Sequence, residues 1–233
     1  GAEGTYLAGM TINEIRISAS NLIIERNNIT STSLGFTANV GNVVIRQNYL
    51  VSMNDYYSTY SSAVIKNNIF TGSVSTSNRA NWLIYNNTFN AYTSGTVISV
   101  YNSSVKNNIV VNTRSGDQYP CINTDPSYNN NIEFNVCNKA PYNQPALENN
   151  IWDATPESVF TMDGNNETKL YLIDGSPAIG YGENGQDCGA YGDLTPYVLS
   201  GMPPVPHIFK ANVPVSATTT GGLPVNVKIK SQK

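Results

Sequence analysis

The fold is decided by a short stretch, Ile65-Lys66-Asn67-Asn68-Ile69-Phe70, whose pattern recurs along the chain. An aliphatic residue is followed three positions later by Asn, and two positions after that by an apolar residue. The copies are Ile24-x-x-Asn27-x-Ile29, Ile45-x-x-Asn48-x-Leu50, Ile65-x-x-Asn68-x-Phe70, Ile84-x-x-Asn87-x-Phe89 and Val105-x-x-Asn108-x-Val110, with looser copies at Ile132-x-x-Asn135-x-Cys137 and Leu147-x-x-Asn150-x-Trp152. Successive asparagines are 21, 20, 19, 21, 27 and 15 residues apart. A period near 20 residues, rich in β-branched residues, predicts a β-solenoid whose coils must stack to bury their apolar faces.

The repeated asparagine is predicted to be structural. We expect it at a corner between two strands, where the backbone turns through the left-handed region that Asn tolerates. An amide both donates and accepts, so equivalent asparagines can form a ladder along the solenoid. Alternation within a strand then directs Ile24, Ile45, Ile65, Ile84 and Val105 inward.

A second set of apolar residues is predicted to face outward as a stripe: Ile23, Val44, Val64 and Leu83. Exposed stripes of this kind usually mark a surface that something covers. A third strand per coil is expected at 15–18, 36–39, 57–60, 74–77, 98–101 and 121–124.

Residues 195–233 differ in composition from residues 1–194, which are assigned to the solenoid. The tail is rich in proline, and Val225, Val227 and Ile229 alternate with polar residues, which is strand periodicity. We expect a β-hairpin of about 208–217 and 223–231 after a Pro-rich connector. It is expected to pack on the solenoid over the apolar stripe, and a linker to a further domain is the alternative.

Composition limits the partners. The formal net charge of −3 and a pI near 5.1 argue against nucleic acid or anionic membranes as partners. No apolar run approaches the roughly 20 residues of a membrane span. The opening residues lack a signal-peptide pattern, so the chain can be read as part of a longer protein. Cys121, Cys137 and Cys188 are expected to be small buried residues rather than zinc ligands, with one disulfide left open.

The repeat resembles the right-handed parallel β-helix superfamily, whose members include pectate lyases, over roughly residues 12–193. A second match, Leu172-x-x-Gly175-Ser176-Pro177-Ala178-Ile179 followed by Asp187-Cys188-Gly189-Ala190, is similar to an ending common in secreted bacterial β-helix proteins. The resemblance implies a single-stranded right-handed parallel β-helix. Together with the number of repeats and the pattern of the tail, it predicts an all-β fold of about seven to eight coils with a C-terminal β-hairpin. In that ending Asp187 is expected to be structural, bonding the turn that closes the last coil.

Candidate chemistry lies in loops and one insertion. The 27-residue spacing places an insertion after Asn108 that holds Arg114, Asp117 and Tyr119, and insertions in solenoids gather on the functional face. The candidate catalytic residues are Asp55, Arg114, Asp117 and Asp125. The candidate substrate-binding residues are Tyr57, Tyr60, Tyr92, Tyr101 and Tyr119, because aromatic faces stack on sugars while nearby amides pair with hydroxyls.

Two features weigh against specific enzymes of the resembled families. Asn123-Thr124-Asp125 matches one of four polygalacturonase motifs and the other three are missing, so a turn at Asp125-Pro126 is the competing interpretation. The Asp and Glu residues are scattered along the sequence, so no cofactor is evident. Ca²⁺ stays an open alternative, although no acidic cluster supports it. A column of charges at the outer corner is interpreted as a solvated face rather than an anion-binding strip: Glu25, Arg46, Lys66, Lys106, Glu133 and Glu148.

These observations predict a monomeric extracellular or cell-surface β-helix protein that binds or degrades polysaccharide, as a lyase or a glycoside hydrolase if it is an enzyme. The alternative is a non-catalytic glycan-binding or structural surface module. Convergence of Asp55, Arg114 and Asp117 on one face would favour the enzyme.

Overall fold

The computed structural model describes residues 4–30, 34–55, 60–116, 118–200, 207–212 and 226–230. The chain winds through three parallel sheets in turn, and each of the first five coils contributes one strand to each sheet. The first and second sheets have seven strands and the third has five. The predicted all-β parallel β-helix is therefore confirmed.

The strands are numbered in chain order. The first sheet contains β1 (Tyr6–Ala8), β4 (Ile23–Glu25), β7 (Val40–Arg46), β10 (Ser61–Lys66), β13 (Ala80–Tyr85), β16 (Ser104–Lys106) and β18 (Asn131–Glu133). The second contains β2 (Thr11–Ile12), β5 (Asn28–Ile29), β8 (Tyr49–Leu50), β11 (Ile69–Phe70), β14 (Thr88–Ala91), β17 (Ile109–Asn112) and β19 (Val136–Cys137). The third contains β3 (Ile15–Ile17), β6 (Leu34–Phe36), β9 (Met53–Asp55), β12 (Val74–Ser75) and β15 (Ile98–Ser99). Helical turns are short: α1 (Pro156–Val159) and three 3₁₀ turns at Pro126–Tyr128, Thr168–Leu170 and Glu183–Gly185.

Five coils carry all three strands, slightly fewer than the seven to eight coils predicted. The sixth coil replaces its third strand with a single bridge between Ile98 and Ile122. Most of the third strand predicted at 57–60 lies outside the described residues, and in this coil Met53–Asp55 pairs with its neighbours. The strand predicted at 36–39 is Leu34–Phe36. These strands are only two or three residues long, too short for alternation to fix their position.

The interior is apolar and closely packed. Ile24, Ile45 and Ile65, predicted to face inward, are buried. The Trp82 ring packs against Phe36 with centroids 4.9 Å apart, and its indole N–H donates to Ser61 Oγ at 3.0 Å. A buried indole N–H needs such a partner, because an unpaired donor there would cost its full desolvation.

The asparagine ladder is confirmed. Each interior amide donates from Nδ2 to Oδ1 of the next coil's asparagine over 2.9–3.1 Å, from Asn27 through to Asn150. The same Oδ1 also accepts the backbone N–H of the preceding coil's asparagine, as Asn68 Oδ1 does from Asn48 at 2.9 Å. The ladder therefore satisfies the polar groups of a buried corner.

The left-handed residue, however, is not the ladder asparagine but the residue before it. The residues with φ of 52–59° at this corner are Arg26, Gln47, Asn67, Asn86, Asn107 and Phe134. The prediction was wrong by one position, because the ladder amide must lie inside the coil while the residue before it makes the turn. The side chain of the turning residue points outward.

A segment of roughly residues 154–200 packs on the outer face of the second sheet. It builds a second apolar core, in which Ile69, Ile109 and Val136 of the sheet cluster with Phe160 and Leu170 of the segment. The segment follows the row of left-handed corners back along the solenoid. Its anchors are Glu183 N–H to Asn107 Oδ1 at 2.8 Å, Asn86 Nδ2 to Asp187 O at 3.0 Å, Asn67 Nδ2 to Gly192 O at 2.9 Å and Gln47 Nε2 to Pro196 O at 2.6 Å.

The Gly-Ser-Pro-Ala-Ile ending lies within this outer segment, so it covers the side of the solenoid instead of closing the last coil. Asp187 Oδ1 accepts the Gly180 N–H at 2.8 Å. Gly189 has φ of +90°, and a Cβ there would lie 2.6 Å from Ile109 Cδ1. Glycine is therefore required both by its backbone and by close approach to the sheet.

The three cysteines are buried and free, so the expectation of small buried residues agrees with the structure. The chain divides into two compact units, Gly1–Ser200 and Gly201–Lys233. In the second unit β20 (His207–Asn212) pairs antiparallel with β21 (Asn226–Lys230), as the predicted hairpin requires. Its packing on the solenoid stays a prediction. Within the described residues, none of the helices is long and apolar enough to cross a membrane.

Candidate functional site

The predicted insertion forms a loop where the second sheet turns toward the third. It follows β17 and ends before Cys121, and the buried Asn112 holds it closed. Asn112 Oδ1 accepts the Arg114 N–H at 3.2 Å, and its Nδ2 donates to Tyr119 O at 3.3 Å. One amide thus joins both ends of the loop.

Arg114 is held beside two aromatic rings. Its guanidinium carbon lies 5.6 Å from the ring centre of Tyr92 and 5.1 Å from that of Tyr119. Both distances are within the range of cation–π attraction. Tyr92 is 70% exposed, whereas Tyr119 OH accepts from Gln118 Nε2 at 3.0 Å. That hydrogen bond, together with the nearby charges of Arg114 and Lys139, lowers the pKa of the Tyr119 phenol.

Lys139, from the next coil, fixes the same loop. Its Nζ donates to the carbonyl oxygen of Arg114 and, at 3.4 Å, to that of Gly116. Asn138, beside it, accepts the Asn112 N–H at 2.8 Å through Oδ1. The backbone around Arg114 is therefore held by side chains from the coil below.

A cavity of about 510 Å³ opens between this loop and the outer segment. Its charged lining consists of Arg114, Lys139, Lys169 and Glu157. The amides of Asn90, Asn112 and Asn138 also line it, together with Phe160, Met162 and Leu170. Polar donors and an apolar wall in one open cavity suit a ligand that has both hydroxyls and apolar faces.

The other predicted site residues lie elsewhere. Asp55 ends the third-sheet strand β9 and accepts from Ser77 Oγ at 2.6 Å. It belongs to the third coil and Arg114 to the sixth, so stacking separates them by about 14 Å along the axis. Tyr60 is 56% exposed and precedes β10. Tyr57 and Asp117 lie outside the described residues. The predicted convergence is not observed between Asp55 and Arg114, and for Asp117 it stays a prediction.

Asp125 and Tyr101 lie at the turn from the third sheet to the first. Asp125 Oδ1 accepts the Ser127 N–H at 2.9 Å and caps a 3₁₀ turn, and this bond lowers the pKa of the carboxyl group. The Tyr101 ring stacks on Tyr128 with centroids 3.8 Å apart. These contacts serve the turn, which agrees with the competing interpretation of Asp125-Pro126.

The charged column at the outer corner is internally paired. Glu25 is buried and receives hydrogen bonds from Tyr6, Arg26 and Arg46. Lys66 lies 3.3 Å from Asp193. Lys106 lies 3.0 Å from both Glu133 and Glu183. The described cations of the column, Arg46, Lys66 and Lys106, are thus each paired with a carboxylate, which favours a structural role over an anion-binding strip.

Sequence reasoning missed Lys139, Lys169 and Asn112 as members of the site. Asn90 and Asn138 each lie three residues after a ladder asparagine. This recurring asparagine was the sequence signal that could have identified the turn. Lys169 comes from the outer segment, which has no repeat to align. Within the described part of the chain, no group of three or more His, Cys, Asp or Glu side chains is placed to hold a metal ion. No protein-family model matches the chain, and no curated protein matches it significantly.

Proposed function

We propose that the protein is a monomeric extracellular or cell-surface module that binds polysaccharide in the cavity beside Arg114. The observation that carries this proposal is the exposed Tyr92 ring next to a cavity lined by three asparagine amides and by Arg114. An aromatic face supports the apolar face of a sugar, and the amides pair with its hydroxyls. The resemblance to the pectate-lyase-like superfamily supports a polysaccharide as the ligand.

The number of carboxylates that line the cavity favours binding over hydrolysis. Glycoside hydrolysis generally uses two carboxyl groups flanking the bond. Among the described residues, Glu157 is the one carboxylate lining the cavity. The described lining therefore supplies one carboxyl group where hydrolysis generally uses two, which supports a binding role.

The test is a binding and turnover screen against neutral and acidic polysaccharides. Calorimetry measures affinity, while new reducing ends and unsaturated products absorbing in the ultraviolet report cleavage. We expect binding without product. Product formation would overturn the non-catalytic proposal, and absence of binding across the panel would overturn the function itself.

Two tyrosine variants locate the site. Tyr92→Ala should weaken binding about tenfold, the effect of losing one well-placed aromatic contact. Tyr60→Ala removes another exposed tyrosine, outside the cavity, and should leave affinity within twofold. The reverse result would place the site at the turn before β10 and overturn the assignment to this cavity.

A further inference from the structure

We propose that the cavity selects an N-acetylated amino sugar, whose acetamido group is recognised by the Asn90 amide and the Met162 side chain. This rests on the proposed polysaccharide-binding function and adds the chemical class of the ligand. Asn90 and Met162 line the same cavity from two separate segments, β14 and the outer segment. An acetamido group combines an N–H donor, a carbonyl acceptor and a methyl group, so it needs polar and apolar partners side by side.

Asn90 is the asparagine of the cavity whose amide is free to pair with a ligand. The other two are committed to the loop: Asn112 joins its two ends, and Asn138 Nδ2 donates to Asn112 O at 3.1 Å. The half-buried Asn90 side chain has no hydrogen-bond partner among the described residues. It can therefore meet either polar end of an acetamido group, with Oδ1 accepting the N–H or Nδ2 donating to the carbonyl oxygen.

Met162 is an apolar side chain that is held exposed at the cavity. It is 47% exposed, and its backbone has φ of 60°. A bulky residue in the left-handed region is a conformational outlier, and such residues cluster at ligand sites, where the surrounding structure holds them. Here the Met162 N–H donates to Lys169 O at 3.0 Å. A flexible thioether side chain in this position can pack on the methyl group of a ligand.

The preference for an acetamido group over a hydroxyl group follows from these two side chains. A sugar with a hydroxyl group at the same position could still bond Asn90, but it would leave the Met162 surface in contact with water. Burial of the acetyl methyl group and a well-placed amide hydrogen bond together should tighten binding about tenfold. Because neither contact involves a charge on the ligand, the preference should be insensitive to salt.

The experiment uses the full chain and two oligosaccharides that differ in one group of each sugar. Chitohexaose carries an acetamido group where cellohexaose carries a hydroxyl group, and the two share the same linkage and are both neutral. Calorimetry at two salt concentrations measures both affinities. We expect chitohexaose to bind about ten times more tightly or better, with a ratio of affinities that salt does not change.

Two cavity variants and two matched controls locate the recognition. Asn90→Ala and Met162→Asn should each reduce the preference for chitohexaose severalfold, and Asn at position 162 tolerates the left-handed backbone. Asn81→Ala removes an exposed amide, and Leu194→Asn removes an apolar side chain that is 96% exposed; neither residue lines the cavity. Both controls should leave the ratio unchanged. Circular dichroism checks that each variant is folded, and either cavity variant serves if the other is not.

The outcomes separate the two proposals. Equal binding of the two oligosaccharides, weakened by Tyr92→Ala, would overturn acetamido selection and leave polysaccharide binding in place. Binding of another polysaccharide from the wider screen, with neither oligosaccharide bound, would have the same meaning. A preference for chitohexaose that survives both cavity variants would also overturn the selection proposed here, since the acetamido group would then be recognised elsewhere. No binding to any of these sugars would overturn both proposals.

Discussion

Asn67 and Asn68 are neighbours in the chain, yet their amides bond on opposite sides of the same corner. Asn68 Nδ2 donates inward to Asn87 Oδ1 at 3.0 Å, while Asn67 Nδ2 donates outward to Gly192 O at 2.9 Å. The left-handed backbone of Asn67, with φ of 52°, reverses the direction between them. One dipeptide therefore ties the coils to each other and to the outer segment.

Replacing an interior ladder asparagine should be strongly destabilising. Asn68 donates to two carbonyls and one amide, and its oxygen accepts two N–H groups of the neighbouring coil. Asn68→Ala leaves those buried groups without partners, so we expect a loss of about 3 kcal/mol in unfolding free energy. Urea denaturation followed by circular dichroism measures it.

Asn81→Ala is the matched control for the ladder. Asn81 is exposed on β13, and its replacement should change stability by less than about 0.5 kcal/mol. Equal effects of the two substitutions would contradict a stabilising ladder.

The outer segment gives a second prediction, based on two glycines. Gly189 and Gly185 both have positive φ, of +90° and +75°. A Cβ at Gly189 would meet Ile109 and Thr88 within 3 Å, whereas one at Gly185 would have no atom within 4 Å. Gly185→Ala should cost about 1 kcal/mol in backbone strain, and Gly189→Ala should cost clearly more through steric overlap.

Thermal unfolding of both variants measures the difference. Hydrogen exchange of residues 182–196 shows whether the Gly189→Ala segment has detached from the sheet. A Gly189→Ala protein as stable as Gly185→Ala would argue against close packing at this point.

The repeat predicted the coil because its spacing is regular, but the outer segment has no repeat. A signal for it was present in the second sheet. Ile69-Phe70, Ile109-Val110 and Val136-Cys137 are consecutive apolar pairs, and a strand that is apolar at adjacent positions is buried on both faces. In an earlier coil the equivalent pair is Asn28-Ile29, whose outward-facing residue is polar. Asn28 is not part of the second apolar core.

The error at the corner has a related cause. In Asn67-Asn68, Asn86-Asn87 and Asn107-Asn108 either residue could make the turn. In the copies Arg26-Asn27 and Phe134-Asn135 the second residue is Asn and the first is not. These copies indicate that the ladder asparagine is the second residue of each pair. The amide is therefore fixed by the ladder, while several residue types accept the left-handed turn.

The candidate site was only partly predictable. The length of the insertion identified Arg114 and Tyr119, and the structure places them beside Tyr92. Lys139 and Lys169 reach the cavity from the next coil and from the outer segment. Their approach to the cavity depends on how separate segments pack, and the spacing of residues along the chain does not determine that packing.

The Glu25 cluster predicts a pH dependence of stability. Burial opposes ionisation of Glu25, but hydrogen bonds from Tyr6, Arg46 and Arg26 outweigh it and lower its pKa below the ordinary value of 4.5. The ionised group therefore stabilises the folded state above the unfolded pKa, and this contribution is lost as the pH falls through the folded pKa. Glu25→Gln should cost about 2 kcal/mol at pH 7.

The difference in unfolding free energy between the unsubstituted protein and Glu25→Gln should become smaller as the pH falls below 4.5. Denaturation across a series of pH values tests this. Glu14→Gln, which removes an exposed partner of Arg16, should have little effect at any pH. A Glu25→Gln deficit that stays constant into acid would show that lost packing, not charge, causes it.

The cysteines give the last prediction, which concerns access to the interior. Cys121, Cys137 and Cys188 are buried, and burial together with the Asp187 charge raises the pKa of Cys188 to about 12. Alkylation requires the thiolate and access to it, so iodoacetamide should label the native protein at least about a hundredfold more slowly than the protein unfolded in guanidinium. Ser94→Cys adds a thiol at an exposed position and should react rapidly without unfolding, which separates slow access from slow chemistry. Rapid native labelling of Cys188 alone would mean that the outer segment opens independently of the coils. Rapid labelling of all three thiols would contradict a closely packed solenoid, because Cys121 and Cys137 belong to its inner core.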